Sequence, residues 1–356
     1  MYRYLFNSLW TTTILLSSCG GMTPHISVVC EENNVGNCIV KWEVSPLTEG
    51  TVKVYASLDP DHIPERSPIA TAPISDQRMT IVTDNPVRRY YYTLLFNDKY
   101  RVKVAPRNVN IPGIQNFRDL GGYPNYSGRK QTRWGMLYRS AQVDIPDCPI
   151  FRELRYMGIK TVIDLRTPAE RQQGYHMTGN FNVLQIPLPI RHIDRILAGI
   201  RDREIRSDTV YRIVEQMNRD MIKQSPQVFR QIFDVLLNAD NYPVVIHCTS
   251  GNGRTGVVNA LILSALEVDD DVIVQDYMLS NRYFDIPRAS RYAYALPARS
   301  QEAITMIYSS RERYIDAALK ETQQEYGSTE NYLQKAVGLS KSEIKQLQHL
   351  LLESVE

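Results

Sequence analysis

The chain has 356 residues, of which 43% are hydrophobic and 22% are charged, and this composition is ordinary for a globular protein. It excludes a disordered, collagen-like or disulfide-scaffold chain. The 41 basic and 39 acidic residues leave a net charge of +2, which creates no overall field for gathering nucleic acid or an anionic membrane. Any anion that the protein binds must therefore be held by a local site. At this length, two domains are the default expectation.

The first 16 residues are typical of a secretory signal, because Arg3 precedes an apolar stretch that is too short to cross a bilayer. The stretch runs into Leu16-Ser17-Ser18-Cys19-Gly20, which resembles the lipobox of bacterial lipoproteins. In that family the signal is cut just before the cysteine, and the several acyl chains then added anchor the protein stably. We therefore predict a signal peptide over 1–18, lipidation at Cys19 and an exported protein anchored in the bacterial cell envelope, on its periplasmic side or at the cell surface. The alternative is an ordinary signal peptide with an incidental cysteine.

Residues 24–107 show a hydrophobic period of two. Six or seven short alternating or aromatic-rich runs, among them CIVKWEV and TVKVYASL, are separated by turn-type residues. This pattern predicts a small all-β sandwich of immunoglobulin or fibronectin-III type over 19–107. Cys30 and Cys38 lie in its first two runs, where a hairpin disulfide and two buried thiols are both open. Cys148, further along the chain, has no evident partner and is expected to be a small core residue.

After residue 107, short apolar runs alternate with helical stretches. The apolar runs include TVIDLRT and PVVIHC, and the long helical stretch 207–238 is expected to break near Pro226. This alternation predicts an α/β domain over 108–356, with a mainly parallel sheet flanked by helices. Binding sites in this architecture form where strands end and helices begin.

One such junction carries a specific motif, because HCTSGNGRTG stands between the apolar run VVI and the helix-forming run VVNALILSAL. Five residues separate Cys248 from Arg254, and a loop of that length can wrap around a phosphate with its N–H groups pointing inward. Gly251 and Gly253 are expected to supply positive φ angles and close approach. The positive end of the following helix is directed at the same point. The candidate substrate-binding residues of this loop are Thr249, Ser250, Gly251, Asn252, Gly253 and Thr255.

Cys248 and Arg254 are the candidate catalytic residues. A cysteine at the head of such a loop is predicted to have a lowered pKa and to attack as the thiolate. Arg254 can hold two phosphate oxygens at once, which lysine could not do. Thr255 can donate a hydrogen bond to the sulfur and help it leave later. A merely structural cysteine at a strand end is the less favoured alternative.

The loop resembles the Cys-X5-Arg phosphate loop of the protein tyrosine phosphatase superfamily. The wider resemblance is to the bacterial tyrosine/serine phosphatase family, whose N-F-R-D-x-G-G motif reads here Asn116-Phe117-Arg118-Asp119-Leu120-Gly121-Gly122. Three further motifs follow in the family's order, namely LYRSA at 137–141, VIDLR at 162–166 and DYMLSN at 276–281. The resemblance extends from about residue 110 onward. It implies two-step hydrolysis of a phosphorylated protein or small phosphomonoester through a cysteinyl-phosphate, without metal or other cofactor.

One departure from the family pattern concerns the general acid. The family usually has Lys-Asp just before the loop arginine, and the Asp protonates the leaving group, but Asn252 and Gly253 occupy these positions here. A tyrosyl leaving group, with a pKa of about 10, gains considerably from proton delivery. The replacement candidates, none of which is singled out by its spacing, are Asp119, Asp194, Asp202 and Asp208.

The absent lysine also weakens the case for a highly anionic substrate. Nearby arginines could compensate in part, although this stretch is expected to be mainly a solvated helix face; they are Arg191, Arg195, Arg201, Arg203 and Arg206. Two alternatives to a protein phosphatase stay open. One is a pseudophosphatase whose loop binds phosphate without efficient turnover, and the other is a phosphatase for inositol phosphates or phosphoinositides.

Overall fold

The structure is a computed structural model that describes residues 24–33, 36–83, 88–143, 148–171, 181–190, 193–289 and 291–355. The predicted lipidation site Cys19 and Arg191 lie outside these residues, as do the side chains of Cys148 and Asp194. Among the helices of the described residues, none is both long and apolar enough to cross a membrane.

The first part of the chain forms two antiparallel sheets. The three-stranded sheet has the order β1 (His25–Glu32), β2 (Cys38–Ser45) and β5 (Arg78–Ile81). The four-stranded sheet has the order β4 (Ala70–Pro73), β3 (Thr51–Ser57), β6 (Tyr91–Phe96) and β7 (Tyr100–Val104). The alternating runs of the sequence are thus strands, while the immunoglobulin or fibronectin-III type and the limits 19–107 and 108–356 stay predictions.

Side-chain alternation decides what these two sheets bury. In β2, Val40 and Trp42 are buried, whereas Glu43 is exposed. Buried side chains of both sheets form one apolar cluster, in which the rings of Trp42 and Phe96 lie 6.2 Å apart, centroid to centroid. Cys30 and Cys38, on the paired strands β1 and β2, are joined by a disulfide, which resolves the alternative that the sequence leaves open.

The second part is built on a five-stranded sheet. Its order is β12 (Asn182–Gln185), β11 (Thr161–Asp164), β13 (Val244–His247), β10 (Leu137–Ser140) and β8 (Arg118–Asp119). The first four strands are parallel, as predicted, but β8 pairs antiparallel with β10, so the sheet is mixed. The reason is that residues 120–136 contain no helix, and a parallel neighbour would need a crossover helix.

Helices account for most of the remaining chain. Those of the described residues are α1 (Cys148–Tyr156), α2 (Pro168–Arg171), α3 (Ile193–Arg201), α4 (Ser207–Gln224), α5 (Pro226–Leu236), α6 (Gly253–Ala265), α7 (Asp270–Met278), α8 (Ser280–Tyr283), α9 (Ile286–Ala289), α10 (Ala298–Tyr308), α11 (Glu312–Tyr326), α12 (Thr329–Lys335) and α13 (Lys341–Leu351). Pro226 begins α5, which confirms the predicted break, because proline is tolerated in a first helical turn. Residues 254–263 of α6 are all buried, and this explains why its sequence is apolar on every side.

The two parts of the chain share an extensive junction. Strand β14 (Leu352–Ser354) pairs antiparallel with β9 (Lys130–Thr132), and Val355 packs against the apolar cluster of the first two sheets. An ion pair of 2.6 Å joins Lys103 of β7 to Glu353 of β14. The first two sheets are therefore held against the α/β part by both apolar and charged contacts.

Candidate active site

The loop 248–254 connects β13 to α6 at the carboxyl ends of the parallel strands. Cys248 directly follows β13, and α6 begins at Gly253. The side chains of Cys248 and Arg254 are both buried, with 2% and 5% of their surface exposed. The two candidate catalytic residues thus lie in one loop, at the position where α/β proteins bind ligands.

The surroundings of Cys248 favour its thiolate form. Burial alone would raise the pKa of the Cys248 thiol, but the Arg254 charge, the Thr255 hydroxyl and the N–H groups of Thr255 and Gly251 lower it, and the net pKa lies below its usual value. The buried Thr255 hydroxyl has no hydrogen-bond partner among the described residues, so it is free to donate to the sulfur, and its effect on Cys248 is to lower the pKa of the thiol. A thiolate held in this way is a competent nucleophile.

The two glycines of the loop differ in what they require. Gly251 has a φ of +67°, and a Cβ at this position would lie 2.3 Å from the Ser140 carbonyl oxygen, so only glycine fits. Gly253 has no positive φ, and a Cβ there would meet no atom within 4 Å. The expectation of a positive φ is therefore wrong for Gly253, because this residue already belongs to α6 and has a helical backbone.

Two carbonyl groups of the loop are held from behind by motif residues. The side-chain amide of Asn116 donates to the carbonyls of Ser250 at 3.1 Å and Gly251 at 3.2 Å, and Arg139 donates to the Gly251 carbonyl at 2.7 Å. In a trans peptide the carbonyl and the following N–H point in opposite directions. The N–H groups of Gly251 and Asn252 therefore face the pocket side, where an anion would lie.

Asp276 balances the charges of two buried arginines behind the loop. Its carboxylate lies 2.6 Å from the Arg139 guanidinium and 3.5 Å from that of Arg118. Burial would raise the pKa of Asp276, but these two arginines lower it to about 2, so the group stays ionised. Arg118 also donates a hydrogen bond to Asn116. The motifs at 116–122, 137–141 and 276–281 thus form one network that braces the phosphate loop.

Glu170 of α2 is a functional residue that the sequence reasoning missed. Its carboxylate accepts hydrogen bonds from both terminal nitrogens of Arg254, at 2.8 and 2.5 Å, and another from the Thr249 hydroxyl at 3.0 Å. Burial would raise the pKa of Glu170, but Arg254 and then Thr167 lower it to about 2. Glu170 is therefore not a proton donor but a group that fixes the direction of the arginine fork. The sequence shows only that Glu170 follows the apolar run of β11, and it is the position of β11 beside β13 in the sheet that brings the side chain to the loop.

The Asn252 side chain points away from the phosphate pocket. It is 2% exposed, donates to the Tyr308 carbonyl at 2.8 Å and accepts from the Ser310 hydroxyl at 2.5 Å. These contacts tie the loop to the connection between α10 and α11. Asn252 can therefore offer an anion its backbone N–H but not its amide.

Asp119 is fully buried and faces the first two sheets of the chain. Its carboxylate accepts hydrogen bonds from the N–H groups of Gly121 at 2.8 Å and Gly135 at 2.9 Å, and from Arg89 at 2.8 Å. Both oxygens are thus engaged at the junction of the two parts. This arrangement does not suit an acid that must reach a leaving group.

The other candidate acids do not contact the loop either, as far as the described residues show. Asp202 and Asp208 have 59% and 70% of their side chains exposed, and they lie 3.5 and 3.9 Å from Arg201 and Arg206. Arg195 and Arg203 are also exposed, as expected for a solvated helix face. None of the three described candidates, Asp119, Asp202 and Asp208, is therefore in place as a general acid, and the side chain of Asp194 lies outside the described residues.

Phosphoryl transfer to sulfur needs an ionised nucleophile and an anion cradle that is fixed beforehand, and this loop provides both. The class of protein is therefore that of the cysteine-dependent phosphatases, which hydrolyse phosphomonoesters through a cysteinyl-phosphate. A family model described as the tyrosine phosphatase family matches residues 109–353, and the chain belongs to that family.

Two named relatives agree with this assignment, and one solved structure is similar over part of the chain. A protein of Cupriavidus necator, provisionally named a tyrosine-protein phosphatase, is 26% identical over 263 residues, which are 68% of this chain and 92% of that protein. The triple specificity protein phosphatase PtpB of Mycobacterium tuberculosis is 28% identical over 279 residues, covering 68% of this chain and 98% of that protein. A crystal structure of Pseudomonas aeruginosa TpbA is 18% identical, with a TM-score of 0.24, and covers 49% of this chain and 87% of that one.

The different environments of the two loop glycines predict different tolerance to alanine. Gly251→Ala should lower kcat by about a hundredfold or more, because the new methyl group would push the loop away from the Ser140 carbonyl. Gly253→Ala, the matched control, should keep close to the wild-type rate. Both are measured on p-nitrophenyl phosphate, with circular dichroism to verify folding. A folded Gly251→Ala variant with the wild-type kcat would contradict the described loop geometry.

Proposed function

We propose that this protein is an exported, lipid-anchored protein-tyrosine phosphatase that acts on phosphotyrosine, and secondarily phosphoserine, in other proteins. The observation that carries the proposal is the buried Cys248 with its lowered pKa, in one loop with an Arg254 whose fork is fixed by Glu170. Each of these features is needed for attack on phosphorus, and a loop that only binds phosphate needs no ionised thiol.

In the first step, the Cys248 sulfur attacks phosphorus, and the bond from phosphorus to the ester oxygen breaks. Arg254 and the inward N–H groups of the loop hold the equatorial oxygens, where negative charge accumulates. The electron pair leaves on the ester oxygen, which takes a proton from water, since none of the described candidate acids lies at the loop. In the second step, water attacks the phosphorus, the sulfur leaves as a thiolate that the Thr255 hydroxyl stabilises, and inorganic phosphate is released.

The burial of the nucleophile supports a tyrosyl substrate. Only 2% of the Cys248 surface is exposed, so a phosphoryl group must be delivered into the loop on a slender side chain. Phosphotyrosine is longer than phosphoserine, and its flat ring can enter a narrow opening. The inositol phosphate alternative gains less support, because Arg201 and Arg206 lie beside Asp202 and Asp208, which offset their charge.

Export and lipid anchoring are supported by the sequence pattern before Cys19. The first described strand begins at His25, six residues after Cys19, so a lipid anchor would place the two N-terminal sheets next to the membrane. Two antiparallel sheets with one shared core also support the immunoglobulin or fibronectin-III type for this part. The phosphatase part would then stand beyond this sandwich, outside the cytoplasm, on the periplasmic side or at the cell surface.

Replacing the nucleophile should separate catalysis from binding. Cys248→Ser should abolish turnover of phosphotyrosine peptides but still bind vanadate, because Arg254 and the loop N–H groups remain. For the wild type, kcat/KM should be highest on phosphotyrosine peptides, lower on phosphoserine peptides and lowest on inositol phosphates. A Cys248→Ser rate above a few per cent of wild type would exclude cysteine catalysis, and a preference for inositol phosphates would exclude the proposed substrate class.

The open space at Gly253 allows the absent general acid to be tested. An enzyme without this acid should turn over more slowly as the leaving-group pKa rises, since such an acid is typically worth about a hundredfold to ten-thousandfold in rate. Gly253→Asp should raise turnover of phosphotyrosine but not of nitrophenyl phosphate. Gly253→Asn, which has the same shape and no acidic proton, should raise neither. A wild-type rate that does not depend on leaving-group pKa would instead show that an acid is already at work.

The lipid anchor predicts how the protein partitions in detergent. Full-length Cys19→Ala expressed in bacteria should no longer enter the detergent phase of a Triton X-114 separation, while its phosphatase activity is retained. Cys148→Ala, a cysteine replacement outside the lipobox, should partition as the wild type does. Detergent-phase recovery of Cys19→Ala at the wild-type level would rule out lipidation at this residue.

A further inference from the structure

We propose that Arg89, contributed by the N-terminal part of the chain, is a positioning residue for the phosphate loop. It holds strand β8 on one face, while the opposite face of β8 braces the loop. The N-terminal sheets would then be part of the catalytic unit rather than an independent appendage. This inference rests on the phosphatase chemistry at Cys248.

Arg89 is buried between the two parts of the chain, with 6% of its side chain exposed. All three of its nitrogens donate hydrogen bonds: one to the Asp119 carboxylate at 2.8 Å, one to the Pro106 carbonyl at 2.8 Å and one to the Tyr91 hydroxyl at 3.1 Å. Its guanidinium also lies over the ring of Tyr138, 5.8 Å from the centroid. Arg89 thus contacts β8 and its neighbour β10 from the N-terminal side.

Asp119 depends on this contact for its charge balance. Its side chain has no exposed surface, and its other partners are two neutral N–H groups. Arg107 lies nearby, but its hydrogen bond goes to the backbone carbonyl of Asp119 rather than to the carboxylate. Without Arg89, a buried carboxylate would lose its one direct ion-pair partner among the described residues, and such a loss strongly destabilises the local structure.

The alternation of side chains along a strand connects Asp119 to the phosphate loop. Adjacent residues of a strand point to opposite faces, and β8 consists of Arg118 and Asp119. In β10, Arg139 pairs with Arg118 and Tyr138 pairs with Asp119. The two arginines therefore share the face toward the loop, and the other two residues share the face toward the N-terminal sheets.

Contacts on both faces fit this division. On the N-terminal face, the hydroxyls of Tyr138 and Tyr91 lie 3.1 Å apart. On the loop face, Arg139 donates to the Gly251 carbonyl at 2.7 Å, and Arg118 binds Asn116, which holds the same carbonyl. The loop is therefore separated from β8 and β10 by only one or two hydrogen bonds, so a displacement of β8 would also displace the loop. The loop N–H groups would then be less well aimed at the thiolate and at the phosphoryl oxygens.

The test uses the full-length protein and three arginine variants, namely Arg89→Met, Arg89→Lys and Arg133→Met. Arg133 is the matched control, because it forms an ion pair with Asp61 at 2.7 Å across the same junction but is not part of the loop-bracing network. Two quantities are measured on folded protein. The first is kcat on p-nitrophenyl phosphate, and the second is the alkylation midpoint, which is the pH at which Cys248 reacts with iodoacetamide at half of its maximal rate.

Arg89→Met should lower kcat by about tenfold to a hundredfold and move the alkylation midpoint to higher pH, because a misplaced loop stabilises the thiolate less well. Arg89→Lys keeps a charge near Asp119 but not the three directed hydrogen bonds, and it should fall between Arg89→Met and the wild type. Arg133→Met should leave both quantities unchanged.

The proposal is overturned if folded Arg89→Met keeps the wild-type kcat and alkylation midpoint, or if Arg133→Met shifts them equally. If Arg89→Met does not fold, Arg89→Lys decides in the same way: an unshifted midpoint contradicts the proposal. Wild-type protein without turnover would contradict the proposed function instead, while the alkylation midpoints of the variants would still test the role of Arg89.

Discussion

The phosphate site depends above all on the direction of two peptide groups. Unless the carbonyls of Ser250 and Gly251 point away from the pocket, the N–H groups that follow them cannot face an anion. Asn116 and Arg139 hold these carbonyls, and Gly251 lets the backbone pass close to Ser140. Free-standing loops do not keep such a conformation, so the surrounding fold must impose it before any phosphate arrives.

Imposing that conformation requires charges inside the protein. Arg118 and Arg139 are fully buried, and among the described residues Asp276 supplies the one carboxylate that both contact. A buried network of this kind is favourable only when its members are satisfied together, and the removal of one leaves uncompensated charge. A second buried ion pair, between Arg89 and Asp119, lies on the other side of the same strand. Strand β8 has only two residues, which is too short to hold its position by strand pairing alone. Ion pairs on both of its faces therefore hold it in place.

Much of this arrangement can be predicted from sequence, because it follows from local patterns. The periodicity of two, the alternation of strands and helices and the spacing of Cys248 and Arg254 each report on neighbouring residues. The role of Glu170 could not be predicted, since it depends on β11 lying beside β13, and strand order is a property of the whole sheet. The same holds for Asp119, which looked available as an acid but is buried by residues that precede it by 30 positions. The expectation for Gly253 fails for a different reason: a sequence pattern places the start of a helix only to within one or two residues, and α6 already includes Gly253.

The contact between Lys103 and Glu353 joins residues that are 250 positions apart in sequence. Contacts with so large a separation form late, because the loop between them must be ordered first. Strand β14 follows all the other described elements along the chain, so Lys103 and the edge against which Val355 packs wait for it. The β14 side of the junction is thus completed only when the rest of the described chain is already present. A chain cut before β14 would therefore leave uncovered the edge of the first two sheets against which Val355 packs, although the cut itself lies far beyond the phosphate loop in sequence.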